Sequence, residues 1–136
     1  MTEHAHGWCS LRLRFDEREL QLLRGAERLR GAAIARSSGR EELRAALQLA
    51  KAGQKVGRSV PGATVSLDEG ELGLLLEALQ FSAREVQAGT RFDADPARRE
   101  AIFAAFPELA ETSWRSFAVA RELDEEAARL AAALHS

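Results

Sequence analysis

In two short stretches of the chain apolar and polar residues alternate, and elsewhere apolar residues recur every three or four positions. Leu11, Leu13 and Phe15 are separated by Arg12 and Arg14, and Ala63, Val65 and Leu67 by Thr64 and Ser66. A period of two places each apolar set on one face of an extended segment, so both stretches read as short half-buried strands. Each strand runs into a pair of acidic residues three apart, Asp16 with Glu19 and Asp68 with Glu71. This is the spacing of a capping box, in which the first side chain satisfies an orphan helix N–H and the second reaches back to the cap. Residues 10–20 match residues 62–72 in pattern, 52 positions apart, which suggests an internal strand–helix repeat with copies over 10–60 and 62–89.

The remaining periodicity is helical. Leu20, Leu22, Leu23, Ala26, Leu29 and Ala33 predict a first helix to about Arg36, where Ser37, Ser38 and Gly39 supply a break. A second helix is expected over about 41–52 with Leu43, Ala46, Leu47 and Ala50 as its inner stripe, ended by Gly53, Gly57, Pro61 and Gly62. The helix after Asp68 has one stripe through Leu72, Leu75, Leu76, Leu79, Ala83 and Val86 and a second through Leu74, Ala78 and Phe81. So wide an apolar surface calls for cover from two sides, as a central helix or a dimer seam.

Asp95 and Pro96 look like an N-cap followed by proline at the first helical position. That helix should be interrupted at Pro107, which cannot donate a backbone hydrogen bond and disfavours helical geometry at Phe106. The pattern resumes from Glu108 with Leu109, Thr112, Trp114, Phe117, Ala118 and Ala120, and Leu123-Asp124-Glu125-Glu126 reads as the start of a final helix through Leu134. The expected fold is mainly α: one domain over 10–136, about five helices with C-terminal ones over 95–135, two short strands, and a flexible tail over 1–9. The strands pair with each other or join their equivalents in a second copy.

With 136 residues, 46% hydrophobic and 29% charged, the chain fits a single folded domain. No stretch approaches the length of apolar sequence that crosses a membrane, so no membrane partner is expected. The N-terminal MTEHAHGWCS has neither the basic nor the apolar region of a secretory leader, and the only cysteine, Cys9, has no internal partner; both point to the cytoplasm. Charge is unevenly spread. Residues 1–60 carry 12 Arg or Lys against 7 Asp or Glu, and residues 61–136 carry 7 against 14. The halves either neutralise each other or present opposed faces to partners.

Chemistry-bearing constellations are few. His4, His6 and Cys9 have metal-binding side chains but lie at a chain end, and His135 stands alone at the other terminus. Asp93 with Asp95, and Asp68 with Glu69 and Glu71, fall where helices begin, so capping explains them without catalysis. No phosphate-binding, dinucleotide, Cys-x-x-Cys or zinc-protease motif is present, and neither a cofactor nor an enzymatic activity is expected.

Two surfaces stand out. Arg28 to Arg58 contains eight basic residues against Glu41 and Glu42; of these Arg40, Arg44, Lys51, Lys55 and Arg58 follow roughly helical spacing, with Arg36 just before. Such a face could meet a phosphate backbone, although no aromatic residue interleaves it for base stacking. Phe92, Phe103, Phe106, Trp114 and Phe117 are five of the eight aromatic residues. Together with Leu74 and Phe81, the residues Phe106, Trp114 and Phe117 are candidates for a partner-binding groove. The leading expectation is a non-catalytic protein-interaction or regulatory module, an adaptor, inhibitor, chaperone-like or assembly subunit that forms homo-oligomers. The second is nucleic-acid binding through Arg36, Arg40, Arg44, Lys51, Lys55 and Arg58. An enzyme or small-ligand binder without a familiar motif is the third.

Overall fold

A computed structural model describes residues 10–36, 39–90, 94–112 and 115–135. The order of elements is β1 (Leu11–Arg14), α1 (Glu17–Ala35), α2 (Arg40–Gly57), β2 (Thr64–Leu67), α3 (Glu69–Gly89), α4 (Pro96–Ala105), α5 (Glu108–Glu111) and α6 (Ser116–Leu134). The described residues are thus mainly helical with one small sheet. Of the two pairings open to the strands, the chain uses the internal one: β1 and β2 are antiparallel, with Leu11 opposite Leu67 and Leu13 opposite Val65. Those residues face the core, while Arg12, Arg14, Thr64 and Ser66 are exposed on the other face. Gly62, with φ of 83°, makes the turn into β2, and its N–H donates to the Phe15 carbonyl.

Both capping boxes form. The Asp16 side chain accepts from the Glu19 N–H and Glu19 accepts from the Asp16 N–H; Asp68 and Glu71 do the same at α3. The likeness of the two segments reaches no further than strand and cap. After α1 comes the long α2, and after α3 the short α4.

Helix α3 is the central element, as its two stripes suggest. It packs most extensively on α6, and also on α1, α2 and α4. Leu72, Leu75, Ala78, Leu79 and Val86 are completely enclosed. Asp95 caps α4 through the Arg98 N–H, with Pro96 in its first turn. The Pro107 joint also forms: α4 ends at Ala105, Phe106 leaves helical geometry with φ of −131° and ψ of 80°, and α5 begins at Glu108.

Four details differ. The helical pattern read from Glu108 to Ala120 divides, because Glu108–Glu111 is a separate turn ending at Thr112 and α6 begins at Ser116. The string Leu123 to Glu126 starts nothing, since α6 is already running from Ser116 and passes straight through it. Helix α2 continues past Gly53 to Gly57; the space a Cβ would need at Gly53 is filled by the Glu27 side chain from α1. The inner stripe of α2 is Leu49, Ala52 and Val56, and Leu43 and Leu47 face solvent.

Phe106 enters the core over Gly25 of α1. A Cβ at Gly25 would overlap the Phe106 ring and approach the Ala105 carbonyl to 2.8 Å, whereas at Gly31 it would meet nothing within 4 Å. Gly25→Ala is therefore expected to destabilise by about 1–3 kcal/mol through overpacking. Gly31→Ala in the same helix should leave stability unchanged or raise it by up to about 1 kcal/mol. Urea unfolding of both variants checks the pair.

Candidate functional site

The solvent face of α2 brings together most of the basic residues singled out in the sequence. At about 100° per residue, Arg40, Arg44, Lys51, Lys55 and Arg58 fall within an arc of roughly 60°. All five are exposed, and Arg36 is exposed at the end of α1. Arg28 and Arg30 point elsewhere. Arg28 donates to the Ala104 carbonyl at the end of α4, and Arg30 pairs with Glu77 of α3 at 2.9 Å while lying 4.7 Å over the Phe81 ring. Lys55 is partly committed too, at 2.7 Å from Glu71. Arg36, Arg40, Arg44, Lys51 and Arg58 make no ion pair with another described residue.

Alongside this basic arc stand Leu43 and Leu47, one helical turn apart and 63% and 66% exposed. At the other edge of the arc, an open cleft of about 440 Å³ between α2 and the start of α3 is lined by Gln48, Lys51, Asp68, Gly70, Glu71 and Leu74. Leu74 and Lys51, candidates for two different functions in the sequence, thus meet in one cleft.

The other candidates do not converge. Phe106 is buried against Gly25 and is part of the core. Phe81 is half-buried beneath Arg30, and Phe117 stands exposed on α6. Trp114 lies outside the described residues, as do His4, His6, Cys9, Phe92 and Asp93. Asp95, Asp68 and Glu71 serve as helix caps, Glu71 also pairing with Lys55. Among the described residues no group of three or more His, Cys, Asp and Glu could hold a metal ion, and no helix is long and apolar enough to cross a membrane.

Sequence reasoning missed a cluster between α1 and α6. Glu126 of α6 is buried, and Arg129 Nη1 donates to it at 3.0 Å and to Glu19 of α1 at 2.6 Å. Burial pushes the Glu126 carboxyl up to about 7, Arg129 opposes this, and neighbouring Glu19 adds to it. Nearby, a hydrogen bond from Arg18 holds Glu122 below the ordinary carboxyl range. The signal for Glu126 was in the sequence, for it follows Leu123 by three positions and so falls on the apolar face of its helix.

Comparison of the chain with protein-family models, with curated proteins and with solved structures finds no match.

The exposure of the α2 leucines makes their substitution a test of the face. Leu43→Gln and Leu47→Gln should each change stability by no more than about 0.5 kcal/mol. Leu49→Ala, which empties a core position on the opposite face, should cost about 2–5 kcal/mol. Denaturant midpoints of the three variants check this.

Proposed function

We propose that the protein is a non-catalytic interaction module whose working surface is the outer face of α2, and that this face takes an acidic amphipathic segment of a partner protein. The observation that carries the reading is the adjacency of Leu43 and Leu47 to Arg40, Arg44 and Lys51 on one exposed helix face. Two leucines a turn apart suit the apolar stripe of a docked helix. The unpaired cations beside them favour glutamates or aspartates at the rim and steer an acidic partner into place.

The leucines also separate this reading from nucleic-acid binding. A phosphate backbone calls for the cations alone and gains nothing from the two leucines beside them. A two-fold pairing of α2 with its own copy is opposed as well, because it would set one basic arc against another.

The test uses a synthetic helical peptide of about 18 residues, with leucines three and four apart flanked by glutamates. Its charge-reversed lysine version and a short DNA duplex serve as comparisons. At about 50 mM salt, where screening is weak, the acidic peptide is expected to shift backbone amide resonances of α2 selectively. The double variant Leu43→Gln, Leu47→Gln should weaken its binding by about tenfold or more, a loss of roughly 1.4 kcal/mol upwards. Absence of α2 shifts overturns the reading. Binding of DNA that ignores the leucines and weakens on Arg40→Ala, Arg44→Ala replaces it with nucleic-acid recognition.

A further inference from the structure

Arg129 ties the end of the chain to its first strand. Its Nη2 donates to the Arg14 carbonyl at 2.5 Å, and its guanidinium lies 5.1 Å from the centre of the Phe15 ring. Its Nη1 serves two carboxylates, Glu19 Oε2 of α1 and Glu126 of its own helix. Both ionised, these would leave one guanidinium against two negative charges at a site where Glu126 is only 4% exposed.

The surroundings do not supply the missing positive charge. From α1 and its cap, Asp16, Arg18 and Glu19 line the same cleft, and from α6, Glu122, Glu125, Glu126 and Arg129. From β1 and the residue that follows it come the Arg14 carbonyl and the Phe15 ring. Five carboxyl groups line this cleft with two guanidiniums, and Arg115, outside the lining, acts on Glu122 and pairs with Glu108 at 3.8 Å. Arg18 is already taken, at 2.7 Å from Glu122 and 2.9 Å from Glu108. Burial, with Glu19 beside it, raises the Glu126 carboxyl against the pull of Arg129, and of the carboxyls in this cleft it is the one placed to hold a proton.

We propose that Glu126 is the proton-binding element of a latch between the N-terminal strand and the C-terminal helix. With its proton in place, Arg129 pairs one to one with Glu19 and holds β1 through the Arg14 carbonyl and the Phe15 ring. When the proton leaves to solvent, the second carboxylate gains by reaching water, and the β1–α6 contact opens. The latch is independent of the α2 face.

The sign follows from linkage. Glu126 binds its proton more tightly in the closed state than when exposed, so closure is favoured below the ordinary carboxyl value of 4.5 and loses that advantage as pH rises to about 7. Above that it levels off. Glu122 is shifted the other way, so it acts below this window. Glu27, which burial raises, lies elsewhere on α1 beside Gly53 of α2.

The test is hydrogen exchange of the whole chain, residue by residue, from about pH 5 to about pH 8, corrected for intrinsic rates. The β1 amides paired with β2 should open more often as pH rises, by up to about tenfold per pH unit until about pH 7, then level off. Glu126→Gln should abolish that dependence at β1, and Glu27→Gln should leave it in place. A flat β1 profile in the wild-type chain, or a pH dependence that survives Glu126→Gln, overturns the latch. Should Glu126→Gln not fold, the carboxyl-carbon NMR titration of wild-type Glu126 decides. A midpoint well above the ordinary carboxyl range supports the latch, and one at the ordinary value overturns it.

Discussion

Helix α3 carries apolar side chains around most of its circumference, and water can be kept from it only by neighbours on several sides at once. The α1–α2 pair covers one side, α6 another, and α4 part of its far end. This requirement fixes the path of the chain. To return α2 to the start of α3, the backbone passes through Gly62 and β2, which lies against β1 and so draws the beginning of the chain onto the same assembly. The sheet is a short closure on a helical body. A two-stranded ribbon of this length has little stability alone, and it persists because Val65, Leu67 and Phe15 are buried beneath the helices.

Charge is arranged around the same constraint. Three of the twelve cations of the positive first half pair with carboxylates of the negative second half: Lys55 reaches Glu71, Arg30 reaches Glu77, and Arg18 reaches Glu108 and Glu122. Half-exposed pairs of this kind contribute about 1 kcal/mol or less each, so they orient the helices more than they hold them together. The opposed halves of the sequence are thus neutralised only in part within one chain. In the outer arc of α2 only Lys55 is paired, and Arg40, Arg44, Lys51 and Arg58 make no ion pair with another described residue.

Local signals survived into the structure because local physics decides them. A capping box is closed within four residues, and Pro107 breaks a helix whatever surrounds it, so Asp16, Asp68 and the α4–α5 joint could all be read directly. The central place of α3 was legible for a related reason, as two adjoining apolar stripes admit few arrangements. The inner face of α2 was not. Leu43, Leu47 and Ala50 form one helical stripe and Leu49, Ala52 and Val56 another, and only contact with α1 and α3 selects between them. Ending the helix at Gly53 removed Val56 from view and tipped the choice the wrong way. At α6 the error was of the opposite kind. An acidic string that resembles a start signal lies within a helix that already has its first turn, and Glu126 joins the buried face because Leu123, Ala127 and Leu130 carry it there.

That wrong choice of stripe is what gives the α2 surface its meaning. If Leu43 and Leu47 faced inward, the outer face would be uniformly polar and its cations would be no more than a solvated helix surface. Facing outward, they place apolar area in water beside charges that make no ion pair with another described residue, while the core is closed without them. The core therefore does not require leucine at these two positions. Nor does self-association through α2, since the cations that flank the leucines repel their own copies. Exposed leucines beside an arc of cations, neither of them used by the core, are the pattern from which we propose an occupant of the reverse kind, a leucine stripe beside carboxylates.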